Sequence, residues 1–243
     1  MKMAFNAGQR KTYGKNDEPI KFPRVPYTKA KVLEKPPLEV HPKFTDKNYV
    51  VIYDVTEYIT GVNAKMVDWW WGNMEKGYHI WASGEHYGFD WIVPPCEAGY
   101  EGSVELSYEF DPRHPMKLTR INLSNYPFTE CFEHCWLTKS SIGPVKGMLI
   151  HMYQDVEGGI EWRTVQFTTA MMAKLMEKVS SKMPDLSSHM EYESGRLNAF
   201  LPQLYDLWKD HPDPWENIHS GLTTVKNPDG TWARKFPDKA PSM

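Results

Sequence analysis

The residues best spaced for chemistry lie in one short run, His189-Met190-Glu191-Tyr192-Glu193. On a helix, residues four apart stack on one face with Cβ atoms about 5–6 Å apart, so His189 and Glu193 can reach one point. The same face continues through Leu197, Phe200, Leu201 and Leu204, an apolar stripe of the kind a helix buries. An ionisable pair on a buried face needs a partner, because an unpaired buried charge costs several kcal/mol at least. A metal ion is one such partner, and an ordinary surface ion pair is the plainer alternative. Pro202 is expected to kink or end the helix beyond Glu193 and to leave the pair intact.

A second run, Cys131-Phe132-Glu133-His134-Cys135, carries zinc-type donors at short spacing. Read as a strand, it points Cys131 and Cys135 away from His134, so the three cannot converge without distortion. The cysteines then read as small buried hydrophobes. His134 shares a face with Phe132 and Trp136, so it either looks into a cavity or is a satisfied core histidine.

Stepped back to elements, the chain opens with a polar, proline-rich stretch, residues 1–48, that can neither propagate a helix nor pair in a central strand. It is either an extended arm that wraps its own domain or a partner subunit, or a disordered tail. Asn48–Val55 is strand-like. Val62–Met74 places Met66, Val67, Trp70, Trp71 and Met74 at helical spacing, with Asn63 as N-cap. Strands of five to nine residues follow: His86–Val93, Ser103–Phe110, Lys117–Leu123, Cys131–Thr138, Val145–Tyr153 and Ile160–Phe167. Short turns between them make an antiparallel sheet, not βαβ units. Two helices come next, Thr169–Lys182 and one from about Asp185–Ser188 to Trp208, and the tail from 211 to 243 reads as loop. The pattern predicts an α+β domain over 49–210. A curved antiparallel sheet wraps on a long C-terminal helix, the helix-grip shape of Bet v 1-like and START-like proteins, with a cavity between.

The chain has 243 residues and a net charge of -3, without the basic stripe that a nucleic-acid groove leaves. No apolar run approaches a membrane span, and Met1 to Tyr13 lacks the apolar core of a signal peptide. Three cysteines are too few, and odd in number, for a disulfide framework, so a reducing cytoplasm is expected. Aromatic residues make up 14 %, ten of them tryptophan, which suits either a cavity for a flat ligand or a core of large side chains.

The helical run, with Leu197, Asn198 and Phe200-Leu201-Pro202-Gln203-Leu204-Tyr205 after it, resembles the C-terminal signature of the 2,4-diacetylphloroglucinol hydrolase and phloretin hydrolase family. Met66-Val67-Asp68-Trp69-Trp70-Trp71 and Tyr78-His79-Ile80-Trp81, ending at His86, resemble that family's first half. His151-Met152-Tyr153-Gln154-Asp155, with Gly158, Gly159 and Arg163, is similar to its strand pair, and the likeness spans roughly residues 62 to 208. It implies zinc held by two histidines and two glutamates. By position these are His86, His189 and Glu193, with Glu109 as the fourth and Glu105 as runner-up. Strand parity does not separate the two glutamates. Val104, Leu106, Tyr108 and Phe110 form the more apolar face, so Glu109 is expected to point away from a filled cavity unless a bulge before Asp111-Pro112 re-aims it.

The resemblance further implies hydrolysis of the carbon–carbon bond between an acyl group and a polyhydroxylated ring, releasing a carboxylic acid and the phenol. Tyr78 would orient the ring, and Tyr153 and His134 would bind hydroxyls or move protons. Trp70, Trp71 and Trp81 line the pocket or are plain core. The partner is then a small phenolic ketone, with neither nucleic acid nor membrane, and the arm is an element two copies could exchange in a homodimer. Trp81-Ala82-Ser83-Gly84-Glu85-His86 departs from the family's Trp-His-Pro before the metal histidine, and Arg196-Leu197-Asn198-Ala199 from its Asn-Leu-Ala. A metal-free binding protein or cyclase on the same scaffold is the alternative.

Overall fold

The structure is a computed structural model that describes residues 23–109, 113–179, 185–211 and 222–235. After strand β1 (Lys31–Leu33) and strand β2 (Tyr49–Thr60) come two helices, α1 (Ala64–Gly72) and the single turn α2 (Tyr78–Trp81). Then follow β3 (His86–Val93), the short helix α3 (Pro95–Ala98), β4 (Val104–Glu109), β5 (Met116–Arg120), β6 (His134–Ile142), β7 (Val145–Val156) and β8 (Gly159–Thr169). Helices α4 (Ala170–Val179) and α5 (Leu186–Trp208) and a hairpin, β9 (Thr224–Lys226) and β10 (Trp232–Arg234), complete the described chain.

Eight strands form one antiparallel sheet in the order β1-β2-β8-β7-β6-β5-β4-β3. β3 to β8 meander, and β2 closes the run by pairing with β8. α5 lies against the concave side of this curved sheet, so the fold is the α+β helix grip. Its apolar stripe, Leu197, Phe200, Leu201 and Leu204, is buried with α1 and the sheet in one core cluster. α1 sits between the two layers with Val67, Trp69, Trp70 and Trp71 buried; Lys65 is its exposed residue and Asp68 its buried charge. Trp69 packs edge-on to Tyr205, Trp70 to Phe200 and Trp81, and Trp71 stacks on Trp136 at 4.4 Å. Asn63 caps α1 by accepting from the Met66 amide at 3.0 Å. A second cluster, built on Phe128, Leu137, Ile150, Val165 and Phe167, fills the other face of the sheet.

Several expectations change. β2 runs to Thr60 rather than Val55, and β6 starts at His134 rather than Cys131 and runs on to Ile142. Cys135 is buried in the second cluster, and Cys131 packs against that cluster. α5 continues through Pro202 to Trp208 without ending. The tail is not all loop. β9 and β10 pair, the Thr224 amide donates to the Glu133 carbonyl at 2.7 Å, and Trp232 packs on the second cluster. Of the arm, residues 23–48 pack on their own chain, with Val32 opposite Glu57 at the sheet edge. Residues 1–22 lie outside the described residues, as do 110–112 with the expected bulge.

Candidate metal centre

Two local geometries build the site. On the sheet, His86 opens β3 directly opposite Glu109 at the end of β4, so the register alone makes them neighbours. On α5, His189 and Glu193 stack four residues apart. The two pairs meet. His86 Nε2 lies 2.9 Å from Glu193 Oε1, and His189 Nε2 lies 3.4 Å from an oxygen of each of Glu109 and Glu193. One donor atom from each of the four residues falls within 4.8 Å of all the others.

Glu109 reaches this point without a bulge in β4, contrary to the parity expectation. Ser103, Glu105 and Ser107 are fully buried, and the Glu109 side chain is only 8 % exposed, whereas Val104 and Leu106 are half-buried. The polar face of β4 is the inward one. The irregularity lies across the ladder, in β3 between His86 and Gly88. Glu105 shares that inward face but is held by Arg120 Nη2 at 2.6 Å, in a cage of Trp91, Tyr100 and Trp136 rings.

Both histidines are braced through the nitrogen that faces away from the cluster. His86 Nδ1 lies 3.0 Å from the Tyr78 carbonyl oxygen and His189 Nδ1 2.7 Å from Glu85 Oε2. Such bonds fix ring orientation and present Nε2 as the donor atom, the usual support of a metal-binding imidazole. Glu85 is positioned by Gly84, whose φ of +92° is a conformation that L side chains rarely adopt.

Electrostatics bind the cluster together. Burial opposes protonation of His189, but the Glu193 charge and the contacts with Glu109, Glu193 and Glu85 outweigh it, so its pKa is raised well above the ordinary imidazole value. Burial pushes Glu193 and Glu109 toward the neutral acid, yet His189 and then His86 hold both carboxyls below their usual range. Tyr78 stacks on His86 at 4.0 Å and donates its hydroxyl to Glu109. Burial, and then the charges of Glu109 and Glu193, push that phenol well above its ordinary pKa, so it stays a donor at neutral pH.

The residues fit a divalent ion. His86 Nε2 is buried and, 2.9 Å from Glu193 Oε1, lies where the donor atoms of Glu109 and His189 also converge. Two nitrogens and two carboxylate oxygens are a donor set that zinc accepts. Zinc bonds of about 2.0–2.1 Å put tetrahedral donors about 3.3 Å apart, close to the separations of 2.9, 3.4 and 3.4 Å found here.

Glu109 and Glu193 line a narrow cavity of about 20 Å³, walled also by Trp71, Tyr78, Trp81, Trp136, Leu149 and His151 together with three methionines. Met74, Met116 and Met190 crowd it, so its open width takes an ion or a water or two rather than a ring. His134 and Tyr153 are not in its wall. Both bind Asp68 Oδ1, at 3.0 and 2.6 Å, in a separate buried group on α1, β6 and β7. Trp70 is plain core, while Trp71 and Trp81 are cavity wall. Sequence reasoning passed over His151, whose ring stacks on Trp71 and which burial keeps neutral, with a pKa near 4. Its signal was strand parity with Tyr153 inside a motif already singled out. Glu85 was visible only as a departure from a family pattern.

No family model matches this chain, and no curated protein does. Among solved structures it is similar to protein Ms6760 from Mycobacterium smegmatis, at 9 % identity over 71 % of this chain and 98 % of that one, with a TM-score of 0.45. It is similar to the major latex-like protein 151 of Panax ginseng at 10 % identity, covering 63 % and 97 %, with a TM-score of 0.44. Norcoclaurine synthase from Thalictrum flavum matches at 14 % identity, covering 69 % and 98 %, with a TM-score of 0.38. At these scores the reading of the site rests on its own geometry. Among the described residues no helix is long and apolar enough to cross a membrane.

Proposed function

We propose that this chain is a zinc-dependent hydrolase that cleaves the carbon–carbon bond between an acyl group and a polyhydroxylated aromatic ring. The observation that carries the metal reading is the meeting of His86, Glu109, His189 and Glu193 at one buried point, with both imidazoles braced behind. When bound, zinc supplies a Lewis acid for a carbonyl oxygen and lowers the pKa of a water. The protein's own groups supply the rest. Tyr78, kept protonated beside Glu109, orients a ring hydroxyl or passes a proton toward the ring. His151, kept neutral, faces the same cavity and can accept from a second hydroxyl. A carbon leaving group needs this help. The acylated ring carbon takes a proton as an adjacent ring hydroxyl gives one up, which makes a β-diketone. Water adds its hydroxyl to the acyl carbon, the bond from that carbon to the ring breaks, and the acyl group leaves as the carboxylic acid. The ring departs as an enolate whose oxygen takes the water's proton to restore the phenol. Admission of a ring requires Met74, Met116 and Met190 to shift, which unbranched thioether chains do at low cost.

A second reading has its own support. Protonated His189 can satisfy Glu85, Glu109 and Glu193 without any metal, which suits a metal-free binding protein or cyclase. Elemental analysis of the purified protein separates the two. One zinc per chain, lost in His189→Ala, is the expected result, and zinc that survives the substitution rejects the site. Loss of acylphloroglucinol absorbance on incubation with the zinc-loaded enzyme tests the substrate class, and an unchanged spectrum rejects that class.

A further inference from the structure

The segment just before β1 runs along α5 on the side opposite the cluster. Arg24 Nε donates to Glu85 Oε1 at 2.6 Å, and its Nη1 to the Ser188 hydroxyl at 3.0 Å. The other oxygen of Glu85 is the one that holds His189 Nδ1. The Arg24 guanidinium lies 4.8 Å over the Tyr192 ring, and the Val25 amide donates to the Tyr192 hydroxyl, which itself donates to the Ser83 carbonyl. Tyr27 and Lys29 both grip Glu191, at 2.6 and 2.8 Å. Gly195 leaves the space in which this strap lies. A Cβ there would fall 2.6 Å from Tyr27 Cδ2 and 2.8 Å from the Thr28 carbonyl oxygen.

We infer that residues 24–29 are part of the metal centre, with Arg24 and Glu85 as positioning residues that aim His189 from outside. The inference rests on the metal reading above. Glu85 has two oxygens and two partners, one on each side, so the arm and the imidazole share one carboxylate. With Arg24 in place, Glu85 is pinned in the orientation that receives Nδ1–H and leaves Nε2 for the ion. Without it, the carboxylate is free to rotate into solvent. Loss of an outer hydrogen bond of this kind typically lowers metal affinity about 10- to 100-fold.

The test is zinc affinity of the full-length protein, by competition with a chromophoric chelator. It compares the unsubstituted chain with Arg24→Met, Glu85→Gln, their double variant and Gly195→Ala. Glu85→Gln is expected to bind about 10- to 100-fold more weakly, and Arg24→Met to lose part of the same factor. The double variant should be no weaker than Glu85→Gln, because Arg24 acts through Glu85. Gly195→Ala keeps all four ligands, Arg24 and Glu85, and alanine favours the helix. By lifting the strap it should weaken zinc as Arg24→Met does, and it decides the matter where Arg24→Met fails to fold. Full affinity in Glu85→Gln, or losses that simply add in the double variant, overturn the strap's role and leave the metal reading standing. Absence of zinc binding in the unsubstituted protein overturns both.

Discussion

Glu57 is a carboxyl in the wrong solvent, and replacing it should stabilise the protein in a pH-dependent way. It stands on β2 with 2 % of its surface exposed, close to Ser194 on α5. Burial raises its pKa from 4.5 to about 7, the Ser194 hydrogen bond works against the rise, and the Glu191 charge adds to it. The usual paired carboxylate has a lowered pKa and stabilises at high pH; here the sign is reversed. Below pH 4.5 the group is neutral in both folded and unfolded chains and contributes nothing. As pH climbs toward 7, the unfolded chain ionises freely while the folded one resists, so stability falls. A shift of that size, at about 1.4 kcal/mol per unit, amounts to at most about 3 kcal/mol. Glu57→Gln keeps the shape and removes the penalty. Urea unfolding with chelator present, so that metal linkage does not intervene, should show no gain at pH 4 and a gain of about 2 to 3 kcal/mol at pH 8. A gain that is equal at both pH values, or larger at pH 4, refutes the reasoning.

Three further outcomes are expected. Adding zinc at about a thousand times its dissociation constant should stabilise by about 4 kcal/mol, or about 8–16 °C in Tm for a chain of this size; a melting curve indifferent to chelator contradicts this. Gly84→Ala places a Cβ at a φ of +92° and should cost about 1 kcal/mol or more, with zinc affinity falling as Glu85 and His86 shift; unchanged affinity in a titration speaks against the turn's role. Asp68→Asn disturbs the His134 and Tyr153 hydrogen bonds and should cost about 1–3 kcal/mol while zinc stoichiometry stays the same; loss of zinc would mean the two polar groups are coupled.

Legibility in the sequence followed physical simplicity. The grip of α5 announces itself through the 3.6-residue stripe Leu197, Phe200, Leu201 and Leu204, because that part of its buried face is apolar. β4 defeats the same rule. Its inward face is Ser103, Glu105, Ser107 and Glu109, since what it borders is a charged cluster rather than oil, and periodicity of apolar residues then points the wrong way. The His189–Glu193 spacing is local and readable; that His86 and Glu109 stand opposite each other is a matter of register between strands, which no single segment encodes. Glu85 and Arg24 are 61 positions apart, and nothing in either neighbourhood hints at the other. The β9–β10 hairpin hid behind Pro228, Asp229 and Gly230, which are turn residues as well as loop residues.

The charge balance of the cluster bears directly on the proposed ion. Buried ion pairs are poor stabilisers, because the desolvation of each partner offsets most of their attraction, and apolar side chains of the same volume commonly do as well or better. The core around α1 shows that this chain can fill space with tryptophan and leucine where only stability is needed. Yet at one point it gathers two imidazoles and two carboxylates, backs them with Glu85, and backs Glu85 with Arg24. Three carboxylates face one arginine, so the balancing positive charge comes either from protons on the two imidazoles or from a bound cation. Under the proposed reading a divalent cation supplies that charge, between His86 Nε2, His189 Nε2 and the oxygens of Glu109 and Glu193. A protonated imidazole and a divalent ion are the two occupants this arrangement fits, and unfolding curves with and without chelator decide between them, because an ion that binds only the folded site adds its binding free energy to stability.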